Sequence, residues 1–461
     1  MMGLVRYLAC VGLLCACRPA AIIAVNVDVV ADMVLHRLIT VTLVQPGPVS
    51  VECTDKEGEV HVLESTSDAL VHEMALFGLR GERGYGCSAR SGTLETRFDF
   101  RTDPLPDWLP EVGTTGTMDG YLLTHHQIGR LESNTDAKVV LFDGDGNIRW
   151  YHRLEQHPSD LDVQHVPGVG VLYGGGYEVP PTLVNWFGET VFEGGPSGAL
   201  GGDYHHHAEW IPGEGILALS RVTDDFEGFE HEGFVVELID PDTGELLWFW
   251  HSIEALEAGT LRLESDRKDP FHANWVAFYG DEMWVELRNQ NLILAVDRGT
   301  GEILWRFGAD RDFRLVGDVS DVGISEDWFS TSHGPDLRDQ ELLLYDNGVG
   351  RAGTQGSRGL IYFLDFEQMS ARLIWEFSEE GWYDPIWGDA DFVGQDQILL
   401  TRAHCSDCSV SGEGTTRFTL VNRESVEIDW ELSYLGAADS AYRSEFLGAC
   451  QVFNNRSMCT D

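Results

Sequence analysis

The chain has 461 residues, 43% of them apolar and 11% aromatic, enough to bury two or three cores. Its 31 basic and 76 acidic residues give a formal net charge of −45 at pH 7, a field that repels phosphate and argues against a nucleic-acid partner or an anionic bilayer surface. An anionic substrate would need a locally positive site.

In chain order the first element is an export segment. Residues 1–21, MMGLVRYLACVGLLCACRPAA, place Arg6 in a short head, then an apolar run too short to span a bilayer, then small residues, which is the pattern of a cleaved signal. LCAC within it resembles a bacterial lipobox, which would make Cys17 the lipidated first residue of the mature chain. An ordinary cleaved signal is the other reading, and both export the chain: to the periplasm and, with the lipid, to an envelope membrane. Setting aside Cys10, Cys15 and Cys17 leaves Cys53, Cys87, Cys405, Cys408, Cys450 and Cys459. Three neighbouring pairs suit disulfides in an oxidising compartment. CSDC (405–408) has no second CxxC, so a structural disulfide is preferred there to zinc or redox chemistry.

Residues 22–103 hold short alternating segments such as LITVTLV, VSVEC and TRFDFRT with turn-rich joints. They predict a small β-sandwich of immunoglobulin or fibronectin type, with Cys53 and Cys87 as its staple. The Pro-rich stretch DPLPDWLP (103–110) marks a linker, placed at 104–112. From 113 to 461 one signal recurs: an apolar strand, a polar turn often with Gly, and a second strand ending in an aromatic. The aromatics are Trp150, Phe192, Trp248, Trp305, Trp375 and Trp430, spaced 42 to 70 residues apart. Six echoes with about four strands each predict an all-β fold, a six-bladed β-propeller. Only SIEALEAG (252–259) reads as a short helix. DGDGN (143–147) lacks the Gly and Glu of a calcium loop and reads as a strand turn.

In a propeller the leading strand of every blade lines a central channel, so residues at the strand starts meet in space. Three successive starts carry histidine: DYHHHAEW with His205, His206 and His207, DPFHANW with His272, and FSTSHGPD with His333. Folding FHANWVAFYGDEMWVELRNQN about Gly280-Asp281 sets His272 opposite Asn289, Arg288 diagonal to it and Asn274 on the same face. Folding the HHH strand about its Pro-Gly turn brings Arg221 near His206, and His333 returns toward YDNG (345–348). His207 reads as pointing off the channel, and His125, His126 and His165 as surface or turn residues. Guanidinium forks match tetrahedral oxyanions, and neutral imidazole acts as nucleophile, base or acid. Such a set suits transfer of a sulfuryl or phosphoryl group through a covalent histidine intermediate. Metal hydrolases usually add carboxylate ligands, and none stands immediately beside His272 or His333, so neither metal nor organic cofactor is expected.

At these residues the chain resembles the bacterial arylsulfotransferases, the nucleotide-independent aryl-sulfate sulfotransferases. HHH with Pro212 five residues on, FHAN, RNQNLILAVDRGTGEILWRFG, SHGPD and YDNG carry the resemblance, over most of residues 110–445. It implies an exported six-bladed propeller after a small β-domain, and ping-pong transfer of sulfate from an aryl sulfate ester to a phenol. His333 would be the nucleophile that becomes sulfated, His272 and Arg288 would bind and polarise the sulfuryl group with Asn274 nearby, and His205 or His206 would complete the site. The family's triplet looks like His-His-Asp, whereas His207 stands third here, and Trp275 replaces a smaller residue. Two rival readings remain: a quinoprotein-like oxidoreductase, which would want vicinal cysteines and a calcium set, and a non-catalytic envelope propeller acting as a scaffold.

Overall fold

A computed structural model of the chain describes residues 22–30, 33–128, 137–154, 160–176, 179–226, 229–263, 268–317, 328–351, 356–403 and 415–453. It falls into two compact units, one built from residues up to 76 and 82–103, the other from 77–81 and 104–453. Both are built of strands, and the described helices are limited to Ser252–Glu257, where SIEALEAG predicts one, Ala449–Val452 and a single 3-10 turn at Arg288–Gln290.

The first unit is one hydrogen-bonded sheet in the order Ile22–Val30, Met33–Thr54, Gly84–Ser91, Leu94–Arg101, with Val60–Leu76 also paired to Met33–Thr54. Met33–Thr54 organises it. Its period-2 face buries Ile39, Val41, Leu43, Val49, Val51 and Cys53, as a half-buried strand must. Its early part pairs with Ile22–Val30, its late part with Gly84–Ser91. Cys53 and Cys87 stand directly opposite one another in that last pairing and are disulfide-bonded. Cys450 is also engaged in a disulfide. Cys17, Cys405, Cys408 and Cys459 lie outside the described residues.

Among its described residues the second unit holds six sheets in propeller-like succession, antiparallel apart from the parallel pairing of Arg314–Leu315 with Ser370–Phe377. Sheet 1 is Tyr121–Ile128, Lys138–Asp143 and Ile148–Arg153. Its leading edge comes from the far end of the chain, where Asp439–Ser440 and Ser444–Leu447 pair with Tyr121–Ile128. Sheet 2 is Asp162–Val166, Gly170–Gly174, Thr182–Asn185 and Thr190–Glu193. Sheet 3 is Asp203–Ile211, Gly215–Phe226, Phe229–Ile239 and Leu246–His251. Sheet 4 is Ala273–Tyr279, Glu282–Leu287, Leu292–Asp297 and Ile303–Phe307. Sheet 5 is His333–Arg338, Glu341–Asp346, Arg358–Asp365 and Ser370–Phe377, plus the short Arg314–Leu315. Sheet 6 is Asp389–Val393, Gln397–Arg402, Arg417–Asn422 and Ile428–Tyr434, to which Val112–Gly116 adds a fifth strand. Leading strands touch from sheet to sheet, and Asp389–Val393 of sheet 6 touches Ser444–Leu447 of sheet 1.

The six aromatic echoes have one structural cause. Trp150, Phe192, Trp248, Trp305, Trp375 and Trp430 lie opposite Leu141, Leu183, Leu238, Ala295, Ile361 and Leu420 of the preceding strand, and the register slips at that point in all six sheets. A bulge adds local twist and re-aims its neighbours. Indole N–H groups then reach the next sheet's outer turn: Trp150 donates to the Trp186 carbonyl at 3.0 Å, Trp248 to Arg298 at 2.8 Å, and Trp430 of sheet 6 to Gly144 of sheet 1 at 2.8 Å. A second repeated device is a left-handed residue at the start of the leading strands. Asp160, His272, Thr331 and Trp387 have φ of 67°, 50°, 56° and 65° one or two residues before sheets 2, 4, 5 and 6, and His206 has φ 64° inside the first strand of sheet 3.

Candidate active site

These strained, bulged strand starts decide where the histidines point. A regular strand sends consecutive side chains to opposite faces. In Asp203–Ile211 the pairing breaks between Tyr204 and Ala208 and His206 turns left-handed, so His205 and His206 share one side and stack at 3.8 Å between ring centroids. His272 from sheet 4 meets both, with centroids 5.2 Å from His205 and 4.9 Å from His206, and its Nε2 lies 3.1 Å from Nε2 of His206. Non-glycine residues in this region cost free energy that surrounding structure must hold.

The hairpin about Gly280-Asp281 forms as the sequence implies, Tyr279 facing Glu282. Its upper register differs by one residue. A bulge at Asn274 sets Ala273 opposite Leu287, so the Arg288 amide donates to the His272 carbonyl at 3.3 Å and the Asn289 amide to Phe271 at 3.0 Å. Arg288 therefore sits across from His272 directly, and Asn289 does not. Asn289 instead braces the turn, donating from Nδ2 to the Asp269 carbonyl at 2.9 Å and accepting from Arg288 Nη1 at 3.1 Å. Arg288 Nη2 donates to the Pro385 carbonyl at 3.1 Å. The bulged Asn274 is fully buried, donates to the Ser332 carbonyl at 2.9 Å, and its Oδ1 makes no hydrogen bond among the described residues.

His333 opens sheet 5 and is buried. Its Nδ1 lies 2.6 Å from Oδ1 of Asn347, whose amide nitrogen donates to the carbonyls of Asp384 and Trp387, each at 2.7 Å. Those two bonds orient the amide, so the oxygen faces the ring, Nδ1 carries the proton and Nε2 keeps the lone pair. Gly334 follows because a Cβ there would lie 1.9 Å from Oδ1 of Asp389, at φ +52°. Burial, then the charge of Arg288, hold His333 well below the ordinary imidazole pKa. Burial, then the neighbouring imidazoles, do the same to His206, and His205 falls to about 3 through burial and His272.

Not every expected residue joins this group. Arg221 stands opposite Asp203 in the register, its guanidinium is 3.6 Å from Asp203 and 3.7 Å from Glu232, and its charge works to lower the pKa of His205. His207 points the other way, as expected, with Nδ1 2.7 Å from Oδ2 of Asp162 and from Nη1 of Arg443. Burial works to lower its pKa, but Asp162 overcomes this and raises it. With Trp275 it lines a separate cavity of about 210 Å³, walled by Asp162, Glu209, Asp389, Asp391 and Glu445. His125, His126 and His165 are buried instead of exposed: the sequence hides this because they face strands from the opposite chain end, His125 Nε2 accepting from the Tyr442 amide at 3.2 Å.

A family model described as arylsulfotransferase (ASST) matches residues 108–443. The chain belongs to the arylsulfotransferase family. It is thus an aryl-sulfate sulfotransferase, and small aryl molecules are its substrates. No curated protein sequence matches it significantly. Among solved structures it is similar to a Bacteroides caccae protein of unknown function (11% identity, TM-score 0.43, 72% of this chain and 99% of that one). It is also similar to the β-propeller domain of Myceliophteria thermophila Cps50 (11%, 0.37, 72% and 98%) and to a quinonprotein alcohol dehydrogenase-like protein of Bacteroides thetaiotaomicron (8%, 0.35, 89% and 94%).

Four groups in this family member escaped the sequence reading. Asp269 Oδ2 contacts Nδ1 of His272, and its Oδ1 accepts the His272 amide at 2.8 Å. DPFH carried that signal, an Asp three residues ahead of the histidine. Asn347 was present in YDNG but without a role. Tyr442 and Arg443 arrive from the last strands: the Tyr442 ring lies 5.6 Å from His206 and 6.0 Å from His333. Arg443 donates to the Asn274 carbonyl at 2.7 Å and to Asp162 at 2.9 Å. Nothing local in the sequence marks that pair.

Proposed function

We propose that this arylsulfotransferase works by ping-pong transfer through a sulfated His333, on a closed six-bladed propeller preceded by a small β-sandwich domain. The sheet-to-sheet contacts that run from sheet 1 to sheet 6 and back, and the Trp430–Gly144 bond, support the ring. The observation that carries the mechanism is the Asn347 clamp, which fixes a neutral His333 with its Nε2 lone pair available beside the positive field of Arg288.

In the first half-reaction that lone pair attacks sulfur, the S–O bond to the aryl group breaks, and the leaving phenolate takes a proton from His272. His272 suits the acid role because Asp269 on its Nδ1 orients Nε2 toward the site and would balance the charge of the ring once it is protonated. Arg288 and a donor N–H of His206 hold the sulfuryl oxygens, with Asn274 and Asn289 shaping that wall and Arg221 acting from further out. In the second half the acceptor phenol returns its proton to His272, its oxygen attacks sulfur, and the S–N bond breaks. Neither metal nor organic cofactor takes part in these steps. The leading 21 residues export the chain, with Cys17 as a lipid anchor at a periplasmic face, and Cys405–Cys408 and Cys450–Cys459 close two more disulfides.

The test is to trap the intermediate. Purified protein incubated with para-nitrophenyl sulfate and no acceptor should release about one equivalent of nitrophenol per chain and gain the mass of one sulfuryl group, mapped by peptide sequencing to His333. Sulfotransfer that needs both substrates present together, with no added mass, would rule the covalent route out.

A further inference from the structure

One ring nitrogen from each of His205, His206 and His272 lies within 4.8 Å of those of the other two. For two of these rings the far nitrogen is already committed. His205 Nδ1 donates to the Ala273 carbonyl at 3.1 Å, and His272 Nδ1 donates to Asp269. A neutral imidazole that donates from Nδ1 carries its lone pair on Nε2. With His272 neutral, the 3.1 Å approach of His206 Nε2 to His272 Nε2 is bridged by the Nε2–H proton of His206, a place that a cation can take; when His272 acts as the acid, its own Nε2 proton occupies it. That separation is close to the about 3.3 Å between two nitrogen ligands on a tetrahedral metal with bonds of 2.0–2.1 Å. A carboxylate behind a metal-binding histidine is the usual support for such a ligand. Asp269 stands behind His272, and Asp160 Oδ2 lies 3.6 Å from Nδ1 of His206.

We propose that His206 and His272, completed by His205, form a binding site for a borderline divalent cation of the zinc and copper(II) class, and that its occupancy blocks the sulfate ester. On binding, the proton of His206 Nε2 moves to Nδ1, facing Asp160, and both Nε2 lone pairs pass to the cation; no electron is transferred. Because His205 stacks on His206 instead of converging with it, its ring rotates to become the third ligand, and water fills the remaining position. Nitrogen donors favour zinc, copper, cobalt and nickel over calcium or magnesium. The cation site stands on the histidine geometry alone, while the block on donor binding rests on the sulfotransferase reading.

The experiment uses the full chain stripped by chelator, with zinc and cobalt salts as probes. Calorimetry and metal analysis should give one tight zinc per chain, and cobalt should develop the strong visible absorption of a four-coordinate nitrogen site. Asp269→Asn should weaken zinc about 10–100-fold while preserving the ligands, and His272→Ala should abolish the tight site. Zinc should raise the melting temperature of wild type most, that of Asp269→Asn less and that of His272→Ala not at all, since a ligand confined to the native state stabilises it. In the transfer assay zinc should raise KM for para-nitrophenyl sulfate and leave kcat unchanged. Zinc binding of equal strength in wild type and His272→Ala would reduce the metal to one held by surface carboxylates and overturn the site. A protein that binds zinc at the histidines yet transfers no sulfate would keep the site and remove the function; an active protein blind to zinc would do the reverse.

Discussion

The strand starts of sheets 3, 4 and 5 and those of sheets 2 and 6 use the same backbone and opposite chemistry. Each has a left-handed residue, yet the first group presents His206, His272 and His333, the second Asp160 with Asp162 and Trp387 with Asp389. Buried imidazoles on one side are kept neutral. On the other side burial pushes the Asp389 carboxyl up to about 7 and Glu445 up to about 8. Arg443 joins the two groups, touching Asn274 and His207 on the first and Asp162 on the second. The repeated fold supplies positions, and the residue at each position decides whether it handles an anion or a proton.

The contrast breaks most completely at the nucleophile. His333→Ala should cut kcat by at least about 1,000-fold, and Arg288→Ala by about 100- to 1,000-fold with the melting temperature little changed, measured by nitrophenol release with a phenol acceptor. Wild-type rates after loss of His333 would mean that the imidazole side does no covalent chemistry. A step below lies Asn347→Ala. It removes the bond that fixes the Nδ1–H form of His333, so kcat should fall about 10- to 1,000-fold by the tautomer argument. The Asn347 bond raises the pKa of a ring that burial already lowers, so its loss leaves His333 neutral. The deficit should therefore be uniform from pH 6 to 9. A deficit that vanished at high pH would point to charge, not orientation.

The carboxylate side is sharpened by pH. A carboxyl with a raised folded pKa favours the fold at low pH, and that contribution is lost as pH rises from its ordinary value to the raised one. For Glu445 the window runs from 4.5 to about 8, so the melting temperature should fall across it. Glu445→Gln keeps an acceptor for the His165 amide and should flatten that fall by an amount on the order of a few kcal/mol. His207 and Asp162 act with smaller weight on either flank. The ring with a raised pKa adds stability below about 6.5 that fades as pH rises through its folded value, and the carboxylate with a lowered pKa adds stability above 3.8 that fades on acidification.

Much of this architecture was legible because it repeats. Six aromatics announced six outer hairpins, and the Gly280-Asp281 turn announced its pairing. What stayed hidden depends on single-residue slips and on distant chain. The bulge at Asn274 exchanged Arg288 for Asn289 opposite His272, and no side-chain pattern marks an inserted residue whose neighbours still alternate. Tyr442 and Arg443 lie 168 and 169 residues from Asn274, so only closure of sheet 1 by the C-terminal strands brings them in. Asp269 was readable in principle, three positions before His272, but a carboxylate facing the back of an imidazole leaves no periodic trace.

The smallest expected effect tests where the imidazole side ends. Folding about the Pro-Gly turn alone puts Arg221 near His206, whereas the break in pairing after Tyr204 leaves it opposite Asp203, half-exposed between Asp203 and Glu232. Exposed ion pairs of this geometry contribute about 0.2–1 kcal/mol, and the charge of Arg221 is a minor influence on His205 beside burial and His272. Arg221→Ala should then change kcat/KM for the aryl sulfate by less than about fivefold, the part that remains being long-range attraction for the anion and so weakening further in added salt. A 100-fold loss that persisted at high salt would instead put the guanidinium in contact with the sulfuryl oxygens, extend the anion-binding wall into sheet 3, and require the Asp203 and Glu232 contacts to open when substrate binds.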